Sequence, residues 1–476
     1  MKSIWGVSLA TLALRLSSGS PLVIDQATFT ANGGDMTDIK NSISTKNNVL
    51  RSYSYNAPWL VVGEISGCTA TWLGDQDNWT YILTAAHCSG YRGEETKIKN
   101  TFKSWDGRII ASGPGTAYVP PERINKPPGM GGASTDIAIL KLPTKSQIVD
   151  KNGRPLQKPI LNDSSDEKGR DVIFVGYGSW GAGKDGSGGY WPATGSRRLY
   201  ARARIDDIFE LGHGMSAVFK PTGPSASWGR TAPGDSGSAW WQIRQGRAVI
   251  IGTTNGGTAA KSTGARVSKY KEWLKTRCPL LQFSSEVPLM GCIINTATSE
   301  RYCLPPGHAA DSLPKWIYGK PVYVDAAPGT AVELCDFENL SYGRIARFEG
   351  TVEHENLKSV AAESGETLDF SRPHSMRVKN SNVAIGCITE LTTCNKYCLP
   401  AGKECNFFPS WFDTVGGVQV EALPGAQVTL SDFQDLSHGH LATFPGFVQN
   451  WELRSVKAEN GQELDFSKPQ SMRVTL

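Results

Sequence analysis

Two stretches near the C-terminus repeat each other, and no other feature of the sequence restricts the architecture as much. Gly291-Cys292-Ile293 returns as Gly386-Cys387-Ile388, Tyr302-Cys303-Leu304-Pro305 as Tyr397-Cys398-Leu399-Pro400, and Trp316 as Trp411. Leu368-Asp369-Phe370-Ser371 and Ser375-Met376-Arg377-Val378 return as Leu464-Asp465-Phe466-Ser467 and Ser471-Met472-Arg473-Val474. Self-similarity over residues 291–378 and 386–474 means two small domains of one fold, each with its own core. Alternating runs such as Val418-Gln419-Val420-Glu421 and Gln427-Val428-Thr429-Leu430 make them β domains.

The chain has 476 residues, so at least one further domain precedes the repeats. Its 51 Gly, 27 Pro and 14 Trp favour short strands and many turns over long helices, so the whole chain reads as all-β. Charge divides with the domains: residues 1–279 carry 34 Lys+Arg against 22 Asp+Glu, residues 280–476 carry 15 against 23. Opposite signs favour docking of the two parts or mark two solvated surfaces. No basic run is interleaved with aromatics as a nucleic-acid groove requires, so no nucleic-acid partner is expected.

Lys2, an apolar stretch from Ile4 to Leu14, and the small residues of Ser17-Ser18-Gly19-Ser20 read as a secretory signal over residues 1–20. No other segment has the roughly 18 apolar residues of a transmembrane helix. A secreted, extracellular chain meets an oxidising compartment, and its ten cysteines are an even number, which reads as disulfides. Cys292 with Cys303 and Cys387 with Cys398 recur in both repeats. Cys394 with Cys405 belongs to the second alone, which leaves Cys278 with Cys335 to tether the front domain to the first repeat. Residues 21–51 are polar and aperiodic, a propeptide or a loosely held N-terminal arm.

Residues 52–279 form the remaining domain. Short β-prone runs (Trp59-Leu60-Val61-Val62, Cys68-Thr69-Ala70-Thr71-Trp72-Leu73, Tyr81-Ile82-Leu83-Thr84) alternate with turn residues, the spacing of a barrel or sandwich. Val267, Tyr270, Trp273 and Leu274 mark a short amphipathic helix before Cys278-Pro279. Three places carry chemistry. His87 ends an apolar run beside Cys88. Asp136 opens the apolar run Ile137-Ala138-Ile139-Leu140, where a charge is costly unless it accepts hydrogen bonds. Ser236 lies between glycines in Pro233-Gly234-Asp235-Ser236-Gly237-Ser238, a loop that lets a substrate approach and lets N–H groups converge on an oxyanion.

Thr84-Ala85-Ala86-His87-Cys88, Asp136-Ile137-Ala138 and Gly234-Asp235-Ser236-Gly237-Ser238, in that order, resemble the chymotrypsin/trypsin-like (S1) serine peptidases. The resemblance implies a double six-stranded β-barrel with a C-terminal helix and the active site in the cleft between the barrels. It implies His87, Asp136 and Ser236 as the triad, Gly234 and Ser236 N–H groups as the oxyanion hole, a Cys68–Cys88 disulfide, and a protein or peptide substrate. Asp235 resembles the aspartate that pairs with a freed α-amino group, which implies a zymogen; cuts after Lys40, Lys46 or Arg51 are the candidates. Arg230 stands at the pocket-floor position, followed by Thr231, with Asn255, Gly256 and Gly257 on the pocket wall. Without a carboxylate there, trypsin-like cleavage is disfavoured. Arg230 either turns inward and suits an acidic or polar side chain, or snorkels to solvent.

The segments 332–350 and 428–446 resemble βγ-crystallin motifs. The repeats would bind a cell-surface or matrix ligand, cover the cleft, or act as spacers. His438 and His440 are too few for a metal site, and no cofactor is expected. The reading that results is a secreted serine endopeptidase, the alternative a catalytically silent protease fold used for binding.

Overall fold

The computed structural model describes residues 22–24, 29–30, 35–38, 48 and 50–476, apart from 127–129, 184–189, 193–196, 219–226, 245–246, 259, 299, 341–343, 435, 437 and 438. The expected signal over residues 1–20, the candidate cut sites Lys40 and Lys46, and His438 lie outside the described residues.

Alternating apolar positions in residues 62–143 close into a first barrel of six antiparallel strands. These are β1 (Val62–Ile65), β2 (Cys68–Gln76), β3 (Trp79–Thr84), β4 (Glu95–Lys103), β5 (Ile109–Tyr118) and β6 (Ala138–Pro143), in the order β1-β2-β3-β6-β5-β4. Pairing of Glu64 with Lys103 and Ile65 with Phe102 shuts the ring. The second barrel contains β7 (Asp171–Gly176), β8 (Leu199–Phe209), β9 (Gly214–Val218), β10 (Ala239–Arg244), β11 (Arg247–Gly257) and β12 (Lys261–Arg266). Its ring order, β7-β8-β9-β12-β11-β10, repeats that of the first, and Trp240↔Phe174 closes it. The expected helix spans Lys271–Arg277 after a 3₁₀ turn at Val267–Tyr270. No helix among the described residues is long and apolar enough to cross a membrane.

The tryptophan pair on β10 shows how period-two alternation fixes the packing. Trp240 turns into the second barrel against Phe174, ring centroids 5.1 Å apart, and Trp241 turns outward against Trp59 at 5.4 Å. Both are buried, so both faces of this strand are covered. Arg198, also buried, donates to the carbonyls of Ser54 (2.8 Å), Trp59 (2.7 Å) and Val62 (2.6 Å) and staples the segment before β1 onto the second barrel.

Part of the expected loose arm is packed. Leu22–Ile24 pairs in parallel with Trp180–Gly183 and antiparallel with Gly229–Arg230, and Phe29 and Leu50 are buried in the second barrel's core. Apolar residues spaced through a polar segment gave no periodic sign of this; the barrel supplies their partners.

The two repeats are built alike. In the first, a sheet ordered Arg301–Leu304, Gly291–Asn295, Val322–Ala326, Thr351–Val352 faces one ordered Ala309–Ala310, Ser375–Asn380, Thr330–Cys335, Ile345–Phe348. The second repeats this strand for strand from Ile385–Glu390 to Ser471–Thr475. Each copy buries its own phenylalanine, Phe370 or Phe466, at its centre.

Disulfides join Cys68–Cys88, Cys292–Cys303 and Cys387–Cys398. The other two expected pairings do not form: Cys278, Cys335, Cys394 and Cys405 are in no disulfide. Cys278 is sealed in the protease-side core, where burial pushes its thiol up to about 12, and Cys335 ends a strand of the first repeat. Cys394 packs against the protease-side core, whereas the Cys405 sulfur donates to the Phe407 carbonyl at 3.0 Å. Counting cysteines assumes that all of them pair; buried thiols also serve as small apolar side chains.

The second repeat docks on the front domain through the turn after its first strand. Leu391 is buried in the protease-side core, and the Thr392 carbonyl accepts from Trp59 Nε1 (2.9 Å) and Asn56 Nδ2 (3.1 Å). Tyr200 donates its hydroxyl to the Leu391 carbonyl at 3.0 Å. The opposite charges of the two parts meet mostly indirectly. Arg204 lies over the Trp451 ring (4.2 Å), Arg170 over Phe447 (4.5 Å), and Arg202 donates to Asn450 (3.2 Å). The counterpart of Leu391 in the first repeat is Thr296, which is exposed. Leu391→Ala is expected to weaken the docked form by about 2–5 kcal/mol, and Thr296→Ala to leave it unchanged. Denaturant unfolding followed separately in the front domain and the tail would read this as two transitions drawing apart in the first variant alone.

Candidate active site

His87 sits in the 3₁₀ turn Ala86–Cys88 directly after β3, and the Cys68–Cys88 disulfide ties that turn to the start of β2. The sulfurs and the imidazole lie close together, but a disulfide has no thiolate to offer a metal. Asp136 is fully buried just before β6. Its Oδ2 meets His87 Nδ1 at 2.6 Å, and its Oδ1 accepts the backbone N–H of His87 at 2.9 Å. One carboxylate thus fixes both the ring and the main chain of the histidine.

Two further donors complete that carboxylate. Asn255 Nδ2, from β11, reaches Oδ2 at 2.5 Å, and Arg123 Nη2 stands 3.5 Å from Oδ1. Arg123 is itself held by Tyr91 (Nε to the hydroxyl, 2.8 Å) and by the Gly132 carbonyl (2.7 Å). Burial alone pushes the Asp136 carboxyl up. The hydrogen bond and charge of His87, the charge of Arg123 and the Asn255 amide outweigh it and hold the group below the usual carboxylate range. Asn255, expected on the substrate pocket wall, therefore directs its amide to Asp136. Arg123 carried no motif to mark it.

Ser236 is half-buried in the loop between Arg230 and β10. Thr69 of the first barrel grips that loop: its N–H donates to the Ser236 carbonyl (2.9 Å) and its hydroxyl to the Gly234 carbonyl (2.8 Å). Gly234 adopts φ +93°, and Gly237 adopts φ +81°, where a Cβ would lie 2.1 Å from Thr84 Oγ1. Among the described residues, neither the Gly234 nor the Ser236 N–H donates to a protein acceptor.

Asp235 points the other way, into the second barrel, and is buried. Its Oδ1 accepts from the Gly178 N–H at 2.8 Å, while its Oδ2 is buried without a hydrogen-bond partner. Gly176 and Gly178 make room for it: a Cβ on either would collide with the carboxylate, at 2.0 and 2.7 Å. Desolvation raises the group to about 8, against which the Gly178 N–H is too little.

Arg230, expected at the pocket floor, is only 2% exposed, so its side chain does not run out to solvent. Thr231 is buried, with its N–H and hydroxyl both on Ser262 Oγ at 2.9 Å. A Cβ on Gly256 would meet nothing within 4 Å, so that edge of β11 is open, whereas one on Gly257 would strike the Lys261 carbonyl at 2.4 Å. His440, on the second repeat, pairs with Asp432 at 3.0 Å.

The double barrel, the crossing order of its strands and the pairing of His87 with the buried Asp136 fit a trypsin-family domain, and residues 47–274 match the family Trypsin. Residues 291–379 and 386–475 match Beta/Gamma crystallin, so a serine-peptidase domain is followed by two βγ-crystallin domains. Among curated proteins, the metalloprotease StcE of Escherichia coli O157:H7 is 49% identical over 89 residues, which is 18% of this chain and 10% of that protein. The chain thus spans about a tenth of the length of that relative. Among solved structures, a Glu endopeptidase in complex with MPD is 19% identical, covering 47% of this chain and 93% of its own, with a TM-score of 0.31. Neuropsin, a serine protease expressed in the limbic system of mouse brain, is 17% identical, covering 47% and 95%, with a TM-score of 0.32.

The buried Asp235 carboxyl has a thermodynamic consequence. Raised from 3.8 to about 8, it keeps a proton in the folded state that the unfolded chain releases near pH 4. Its contribution to stability is complete at low pH and is lost progressively as pH rises from about 4 through about 8. In a chain that still carries its leader, Asp235→Asn is expected to flatten the fall in stability between pH 5 and 8, measured by urea unfolding across that range; an unchanged slope would contradict the assignment.

Proposed function

We propose that the protein is a secreted serine endopeptidase working through Ser236, His87 and Asp136. A serine hydroxyl is a weak nucleophile, so His87 takes its proton as Oγ attacks the peptide carbonyl and returns it to the leaving amine. Asp136 holds the imidazole in the tautomer that leaves Nε2 free to accept, and stabilises the imidazolium that forms. The N–H groups of Gly234 and Ser236 stabilise the oxyanion, a role supported by their having no protein acceptor. Water then hydrolyses the acyl-enzyme. The observation that carries this reading is the double hold of Asp136 on the His87 ring and backbone, which fixes the base before substrate arrives. Disulfides and the leader-like N-terminus support secretion.

Arg230 stands where a trypsin-like pocket would carry a carboxylate, which supports a specificity other than for Lys or Arg at the cleaved bond. The test is labelling by a fluorophosphonate followed by a peptide library on the same sample. We expect label on Ser236, loss of label in Ser236→Ala with turnover down by about 10⁶, and a profile not led by Lys or Arg. A folded chain that takes no label favours the catalytically silent alternative, and a profile led by Lys or Arg refutes the pocket assignment.

An active form that begins just after the expected signal would count against the zymogen reading with its cut after Lys40, Lys46 or Arg51, and the packing of the arm favours such a start. Leu22 is paired with Trp180, two residues from the Gly178 whose N–H already donates to Asp235. An α-ammonium group on Leu22 would answer the bare Oδ2 and remove its desolvation cost. A cut after Arg51 would instead detach the Leu22–Ile24 strand and the buried Phe29 from the chain. N-terminal sequencing of active enzyme is expected to begin near residue 21, and an active form beginning at Ser52 would contradict this.

A further inference from the structure

A general base must be neutral before it acts, so the His87 that awaits substrate brings no charge to the carboxylate beside it. Asn255 brings none either, yet Asp136 is fully buried. A buried carboxylate met only by neutral donors is costly. The cation that answers it is Arg123, whose Nη2 stands 3.5 Å from Oδ1, with the two side chains 10% and 0% exposed.

The guanidinium is held in place from several sides. It extends from the short helix Pro121–Asn125, its Nε donates to the Tyr91 hydroxyl, and its centre lies 5.3 Å from the centroid of the Tyr91 ring. Tyr91 packs on a small buried cluster of Ala86, Val119 and Ala138. Ala86 precedes His87, Ala138 follows Asp136 by two residues, and Val119 leads into the arginine's helix, so one cluster sets the three elements against one another. Nη1 of Arg123 also donates to the Gly132 carbonyl, in the loop that ends at Asp136. The same loop is fixed further on by Tyr270, whose hydroxyl donates to the Ser134 carbonyl at 2.8 Å, and by Glu210, which accepts from the Ser134 hydroxyl.

The ionisable groups facing Asp136 are His87 and Arg123. Glu122, next to Arg123 on its helix, and Glu210 both act as charges on Tyr270, which also packs against His213 with ring centroids 5.2 Å apart. Among the described residues, the carboxylate that the Arg123 guanidinium pairs with is Asp136.

We propose that Arg123 is a positioning residue for the triad: a fixed counter-charge that keeps Asp136 ionised and aimed at a neutral His87, and so sets how acidic a solution the enzyme tolerates. The assignment rests on the reading of His87, Asp136 and Ser236 as a triad. A cation beside the Asp136–His87 pair opposes uptake of a proton by the pair as a whole. Removing it therefore moves the acidic limb of the activity profile upward in pH.

The test measures kcat/KM for a chromogenic ester across pH in the full chain, in Arg123→Met, which loses the charge, and in Arg123→Lys, which keeps it. The acidic limb is expected to rise by about one pH unit or more in Arg123→Met and to stay with the parent's in Arg123→Lys. A limb unmoved in the first variant, or moved equally in both, would overturn the proposal. Urea unfolding of Arg123→Met in a chain carrying Ser236→Ala reads the ion pair without catalysis. A carboxyl held low by its partners adds stability that is lost as pH falls. The variant's loss of stability is thus expected to widen as pH rises from about 3 to about 7, and to become independent of pH once Asp136→Asn is added. A loss independent of pH without that addition would overturn the proposal. An inactive parent chain whose variant still shows the widening loss would fault the triad and uphold the counter-charge.

Discussion

A carboxylate buried without a counter-charge is the constraint on which the front domain depends. Asp235 lies beneath the nucleophile loop, takes one N–H from Gly178 and leaves its second oxygen bare. Because the serine is the next residue, whatever satisfies that oxygen also sets the loop that presents Ser236. Gly176 and Gly178 exist as glycines to admit the carboxylate, and the Leu22–Ile24 strand runs alongside the same segment.

The histidine side is organised on the opposite principle. Asp136 is just as buried, but it is met by the His87 ring, the His87 N–H, the Asn255 amide and the Arg123 guanidinium, and it stays ionised. Two buried aspartates thus have their proton affinities pushed in opposite directions by what faces them. The tail adds a third use of satisfied burial. The second repeat inserts Leu391 and offers the Thr392 carbonyl, whereas the first keeps polar, exposed residues at the same turn. Duplication gave two equal cores, and divergence at one turn made only one of them an interface with Trp59.

Much of this was legible in the residues. The barrels follow from alternation, the two tail domains from literal repetition, and the pairing of His87 with Asp136 from their local settings and chain order. What was hidden is what depends on a distant partner. Nothing in Pro120-Pro121-Glu122-Arg123 says that the arginine will stand 3.5 Å from Asp136, and Asn255 reads equally well as pocket wall. The arm looked loose because Phe29 and Leu50 are apolar residues set singly in a polar segment. Parity of the cysteines suggested five bridges, but four of the sulfurs form none, and Cys278 fills core space. Arg230 could be located but not oriented, since an arginine side chain runs equally well inward or outward until the surrounding sheet is known.

The most direct measurement is a pre-steady-state burst on the chain beginning at Leu22, using a chromogenic ester. The account predicts rapid release of one equivalent of leaving group per chain, with the acyl group recovered on the peptide containing Ser236. Linear release without a burst, together with no acyl adduct on that peptide after acid quench, would contradict it.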